Sequence, residues 1–252
     1  MERKSFKLPF YKTSVTKYQC PTCEKGVLKV ITETFNHKET KLSVEGHDHD
    51  DWEPEWIEYV YSCLLECSNT ACKEIVSSTG RGSITENYGY DADGRTEVDY
   101  EDYFKPEYFI PNLKMFSVPN DASQEVHDEI NKSFSLLFAD PASSANHIRV
   151  ALEHLLTHLG IKRFNVKSNK RSFLTLHSRI DLLPIKYAHI KEIFYAVKWL
   201  GNAGSHSNHE VSLDDVLDSY ELMSELLIEI FDKKRVKAVA LAKKINKKKG
   251  PK

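Results

Sequence analysis

Residues 119–137 read PNDASQEVHDEINKSFSLL, and the spacing of their apolar side chains decides the fold class. Val126, Ile130, Phe134 and Leu137 recur at four, four and three residues, which lines one face of a helix. Asn120, Asp121 and Ser123 are each able to cap its start. Before Pro119 the pattern has the period of strands, so the chain changes class here and an α+β protein is expected.

Towards the C-terminus the helical period continues. Asp140-Pro141 supplies a cap followed by proline at the first helical position, and Gly160 closes that helix after Ile148, Leu152, Leu155 and Leu159. A third helix is predicted through Phe173, Leu176, Ile180 and Leu183, stopped by Pro184. A fourth carries Ile190, Ile193, Phe194, Val197 and Leu200. Ser212 to Asp215 resembles a capping box and opens a last helix reaching Phe231. An all-helical bundle follows from these periods.

Towards the N-terminus, Val27 to Thr32 and Trp56 to Leu65 are β-branched or aromatic runs with period two. Ile75-Val76 suggests a short third strand, and residues 84–110 an exposed loop or hairpin. The expected division is therefore a β domain over 1–117, a helical bundle over 118–232 and a basic tail over 233–252.

The 252 residues are 40% hydrophobic and 29% charged, which excludes a largely disordered chain. No run approaches the length of a membrane span. The N-terminal stretch lacks an apolar core of the secretory type, so a cytoplasmic protein is expected. With 35 Lys+Arg against 37 Asp+Glu the net charge is −2, but the charges are segregated. Glu45 to Tyr108 holds 17 acidic and 4 basic residues, whereas Phe231 to Lys252 holds ten Lys/Arg and one Asp. That tail suits attraction to RNA phosphates or simple solubility.

All five cysteines precede residue 73. Cys20-x2-Cys23 and Cys67-x4-Cys72 form two knuckle-like pairs, each with turn residues, flanking a hairpin-like insert. Four thiolates in two tight turns suit a tetrahedral structural Zn2+, which would compensate for a small β core. Cys63 falls within a strand pattern and reads as core. The Gly46–Asp51 stretch, rich in His and Asp, reads as a solvated loop. Because this half is acidic, phosphates would be repelled. A protein partner fits better, and Tyr88, Tyr90, Tyr100, Tyr103, Phe104, Tyr108 and Phe109, interleaved with carboxylates, either anchor it or pack inward.

Two helical segments carry polar residues that packing does not require. Arg149 and Glu153 lie one turn apart, as a functional pair or as an ordinary surface salt bridge. Lys198, Asn202 and His206 are spaced i, i+4, i+8 in Lys198-Trp-Leu-Gly-Asn202-Ala-Gly-Ser-His206.

At these residues, and with the two cysteine pairs, the chain resembles, over about residues 18–230, the prokaryotic HEPN-like family catalogued as domain of unknown function 4145. That family accompanies restriction and phage-defence genes. The resemblance implies a HEPN-like bundle and a metal-independent endoribonuclease that assembles as a dimer or larger homo-oligomer. His206 matches the histidine of the R-x4–6-H motif and Asn202 its polar residue. Gly201 stands where the motif has arginine, leaving Lys198 or Arg149 to supply the cation, with Glu153 orienting. The function so implied is an antiphage-defence, toxin-like ribonuclease effector acting on RNA. A protein trigger, such as a phage protein, would bind the zinc-finger domain. The alternative is a non-catalytic dimeric adaptor or regulator that binds protein or nucleic acid.

Overall fold

The computed structural model describes residues 3–12, 17–90, 94–167, 170–206, 210–231 and 241–247, and within them the side chains other than those of residues 90, 167 and 204–206. The chain divides into two compact units: Met1–Met115 with Phe134–Asp140, and Phe116–Ser133 with Pro141–Lys252.

In the first unit, β1 (Leu28–Val30), β2 (Asn36–Glu39), β3 (Glu58–Cys67), β4 (Ile75–Tyr90) and β5 (Thr96–Ile110) form one antiparallel sheet. Its path runs β1-β3-β4-β5, and β2 shares the β1 edge of β3. A short helix, α1 (Lys41–Gly46), follows β2 and is capped by the Thr40 hydroxyl, which accepts from the Ser43 N–H. Period two is obeyed most strictly in β3, where Tyr61, Cys63, Leu65 and Cys67 are buried and the residues between them are not. Phe10, Phe35, Tyr61 and Phe104 pack there as an aromatic cluster, with ring centroids 4.7 Å apart for Phe35–Phe104 and 5.1 Å for Phe10–Tyr61. Such pairs contribute about 0.5–1.5 kcal/mol beyond their burial.

The short strand expected at Ile75-Val76 is 16 residues long, and it pairs with β5 from Ser77–Ile110 out to Tyr90–Thr96. Residues 84–110 thus take the hairpin alternative. Gly80 and Gly82 make its close pairing possible: a Cβ at 80 would collide with the Lys105 carbonyl, and one at 82 would stand 2.8 Å from Phe104 Cε1. The aromatics of this segment divide. Phe104 and Phe109 are core, whereas Tyr88 is 70% exposed on an arm whose β5 residues Thr96–Glu101 all face solvent.

The second unit is helical: α2 (Gln124–Leu136, its last turn counted with the first unit), α3 (Pro141–His158), α4 (Leu176–Asp181), α5 (Lys191–His206) and α6 (Leu213–Phe231). The apolar positions read from the sequence are its core: Val126, Ile130, Ile148, Leu152, Leu155, Phe194, Val197, Val216 and Leu217 are buried. Each such side chain stabilises the fold by about 1.5–3 kcal/mol relative to exposure. One buried polar cluster is satisfied internally, with Ser133, Ser144 and the Tyr220 hydroxyl 2.9–3.0 Å apart. Ser212 and Asp215 cap α6 reciprocally, as its sequence implies: the Ser212 hydroxyl accepts from the Asp215 N–H, and an Asp215 carboxylate oxygen accepts from the Ser212 N–H.

Two corrections follow. The C-terminal half is not all-helical, because β6 (Phe164–Lys167) and β7 (Lys170–Phe173) form a two-stranded antiparallel hairpin between α3 and α4. Phe173, read as the first residue of a helix, lies in β7 with its ring 4.5 Å from Phe164 and 76% exposed. The helix begins only at Leu176, where the Thr175 side chain accepts from the Ser178 N–H. A cap fixes that start more strongly than one apolar residue three positions upstream.

No described helix is long and apolar enough to cross a membrane.

Candidate functional site

The cysteine site is built by two turns. In the first, the Glu24 N–H donates to the Cys20 carbonyl (3.0 Å), and Glu24 takes a positive φ of 53°. In the second, the N–H groups of Cys72 and Lys73 both donate to the Asn69 carbonyl, and Lys73 has φ 52°. These turns bring Cys20, Cys23, Cys67 and Cys72 together with all four sulfurs within 4.8 Å of one another. Gly26 is required there, since a Cβ would collide with the Cys67 sulfur.

The pairs Cys20–Cys72 and Cys23–Cys67 stand 3.8 and 3.7 Å apart, far beyond a disulfide bond. A tetrahedral ion with metal–sulfur bonds of about 2.3 Å needs sulfur–sulfur edges of about 3.8 Å. Two of the six edges match that length and all lie within 4.8 Å, so the four thiols could hold a metal ion. Cys23 also accepts from the Gly26 N–H at 3.4 Å and from the Asn69 side-chain amide at 3.6 Å. The Gly26 and Lys25 N–H groups lower its thiol to about 6, whereas burial pushes Cys67 up to about 12. Cys63 is buried at mid-β3 apart from this cluster. Among the described residues the Gly46–Asp51 stretch forms no comparable group; His47 bonds Glu39 at 2.7 Å instead.

In the helical unit four of the five candidate catalytic residues have described side chains, and they fall into two neighbourhoods. Arg149 and Glu153, on α3, form an ion pair at 2.6 Å, and the Arg149 Nε donates to the Asn146 side chain at 3.2 Å. Gly201 of α5 lies directly against Arg149. A Cβ at 201 would collide with Arg149 Cβ and stand 3.2 Å from its Cγ and 3.0 Å from the Ala145 carbonyl. The stem of Arg149 thus fills the place of a side chain at 201, next to the half-buried Asn202.

Lys198 belongs to the other neighbourhood. It is 7% exposed, and its ammonium donates to His177 Nδ1 of α4 at 3.4 Å and lies 3.1 Å from the Trp199 ring centroid. Among the described residues no hydrogen bond or ion pair joins it to Arg149 or Glu153. His206 is the last residue of α5; its side chain, like all of His209, lies outside the described residues.

The sequence reading passed over two features of α4. Asp181 receives the Tyr195 hydroxyl at 2.6 Å and the Lys191 ammonium at 2.9 Å, which hold its carboxyl below the ordinary carboxylate range. Arg179, 3% exposed, donates to the carbonyls of Glu153 and Ile161 and to the Thr157 hydroxyl, tying α4 to the end of α3. The i, i+4 spacings His177–Asp181 and Lys191–Tyr195 were the signals available.

Residues 8–109 match the family described as Domain of unknown function (DUF8608), and residues 131–248 match that described as Domain of unknown function (DUF4145). No curated protein and no solved structure matches the chain. The resemblance to domain of unknown function 4145 thus extends over the helical half, and the cysteine pairs lie in the part that matches a different family.

Proposed function

We propose that the helical unit is a metal-independent endoribonuclease, and that the sheet unit, stapled by zinc, receives a protein trigger. The observation that carries the reading is the Arg149–Gly201 contact. The segment that resembles an R-x4–6-H motif lacks its arginine, and the neighbouring helix lays an arginine stem over the vacated position. Residues 131–248 match DUF4145, the family whose resemblance first implied a ribonuclease.

The chemistry is transesterification. The ribose 2′-oxygen attacks phosphorus, the bond to the 5′-oxygen breaks, and the products are a 2′,3′-cyclic phosphate and a 5′-hydroxyl. An imidazole takes the 2′ proton and an acid returns one to the leaving oxygen, roles that two copies of His206 in a homo-oligomer divide between them. Arg149 stabilises charge on the phosphorane, held in position by Glu153, while Asn202 binds a phosphate oxygen. In the sheet unit four cysteines in two tight turns are the ligand set of a closed structural zinc site, and the work of the ion is to hold the two turns together. The solvent-facing tyrosines and carboxylates of the β4–β5 arm suit a basic protein partner, and a phage protein is the trigger that a defence-associated effector requires.

The reading is tested by incubating purified protein with total RNA, with and without lysate from phage-infected cells. Wild type is expected to yield cyclic-phosphate ends, and His206→Ala and Arg149→Met each to lose at least a hundredfold in rate while retaining helical content. If neither substitution alters RNA integrity, the non-catalytic adaptor reading stands. One observation favours that alternative: Arg149 is already neutralised by Glu153 at 2.6 Å.

A further inference from the structure

The β6–β7 hairpin leaves large apolar side chains in water. All four residues of β7 face solvent, with Phe173 76% exposed, and Val166 of β6 is 65% exposed. A lone two-stranded hairpin is marginal in water, and rings left in solvent give it little of the stabilisation that burial supplies. The charge around these rings has one sign. Five of the ten residues 162–171 are Lys or Arg, and no Asp or Glu occurs between Gly160 and Ile180.

Register gathers this chemistry on one face. Phe164 pairs with Phe173, and Val166 with Arg171. Residues directly opposed, and those two apart along a strand, point the same way, so these four side chains share a face. There the Arg171 guanidinium lies over the Phe164 ring, 4.7 Å from its centroid, and the Phe173 ring leans on Phe164 at 4.5 Å. Phe164 is the half-buried support, and the two groups it holds are the exposed ones. Among the described residues no hydrogen bond or carboxylate engages Arg171, so its N–H fork is open to phosphate oxygens. Two residues along a strand span about 7 Å, which sets Arg171 and Phe173 side by side. The exposed Lys162, Arg163 and Lys170 add general attraction for a polyanion.

We propose that this face of the hairpin binds single-stranded nucleic acid, with Arg171 taking a phosphodiester and Phe173 stacking a base. An acidic protein segment would satisfy the guanidinium but offer no flat ring to Phe173; a nucleotide supplies both. Exposed aromatic rings beside unpaired cations are how single strands are held without sequence preference. That the strand is RNA presented for cleavage rests on the ribonuclease reading above; the binding itself does not.

The probe is a short 2′-O-methyl oligouridine carrying 5-iodouracil, which cannot be cleaved through its 2′-oxygen and which crosslinks on irradiation to stacked aromatic rings. With the full-length protein, the crosslink is expected on Phe173 or Phe164, mapped by mass spectrometry. Phe173→Ser and Arg171→Met are each expected to lower that crosslink and the affinity for the strand at least fivefold, and Phe173→Trp to restore both. Lys186→Met, which removes an exposed charge of the same unit, is expected to change either by less than twofold. Affinity for a paired RNA duplex, whose bases cannot stack on a side chain, is expected to change less than twofold in Phe173→Ser. An oligothymidylate arm identifies the backbone: a hairpin crosslink with it supports the platform and extends its use to DNA. Crosslinks confined to other segments of the wild type overturn the proposal, and so does an equal loss of duplex and strand binding in Phe173→Ser. Oligoglutamate that suppresses the crosslink as well as unlabelled strand at equal charge overturns it in favour of an acidic protein. His206→Ala is expected to leave the hairpin crosslink within twofold of wild type, so loss of cleavage and loss of this binding are separate results.

Discussion

Glu129 carries two partners on one carboxylate: Lys132 donates at 2.7 Å to one oxygen and His147 lies 2.7 Å from the other. Burial alone would raise its pKa, but the hydrogen bonds to Lys132 and His147 outweigh it and hold the group below its ordinary value. The stability this gives is therefore present above the usual carboxylate range and lost as pH falls through the lower folded value. Glu129→Gln is expected to lower unfolding stability at pH 7 by about 1–2 kcal/mol, the scale of hydrogen bonds to a charged group. The difference should shrink as pH falls towards the lowered folded value, where the carboxylate takes up its proton. Urea midpoints at pH 7 and pH 3 measure it, and an undiminished gap at low pH would refute the assignment. Arg149 and Gly201 show the same scale from the other side. A helix period places each on its own helix, but their contact depends on how closely α3 and α5 approach.

At the scale of elements, two turns carry the four-cysteine cluster that could hold a metal, and the spacing that builds them was legible in the sequence. Cys-x2-Cys and Cys-x4-Cys with their turn residues imply thiols at two turn apices, and the sulfurs gather within 4.8 Å. The purified protein is expected to hold about one zinc per chain, and Cys67→Ser to hold none. Chelation should unfold the sheet unit while the helical signal near 222 nm persists, because ligand binding and folding are one equilibrium in small metal modules. A metal-free wild type with an intact sheet would remove zinc from the account. Elements of low periodicity were read less well. The β6–β7 hairpin is short and mostly exposed, so no burial pattern marks it, and the extended pairing of β4 rests on Gly80 and Gly82, which lack side chains to show a period.

For the whole molecule the governing feature is the separation of acidic from basic sequence. If RNA is the substrate, the ten Lys/Arg between Phe231 and Lys252 should steer it. Deleting residues 233–252 is expected to flatten the dependence of RNA affinity on salt by several units of log–log slope. Each phosphate contact with a single strand contributes about −0.7 to that slope. An unchanged slope would assign the tail to solubility.

What the amino-acid order determined by itself was local: helix periods, caps, the strand alternation of β3 and the thiol-bearing turns, all set by neighbours within a few residues. Tertiary structure alone decided which side chains meet across elements. It laid Arg149 over Gly201, turned Lys198 towards His177 instead of Arg149, and buried Phe104 and Phe109 while leaving Tyr88 in solvent. Those outcomes depend on helix separation and sheet register, which sum many weak contacts that no single stretch of sequence contains.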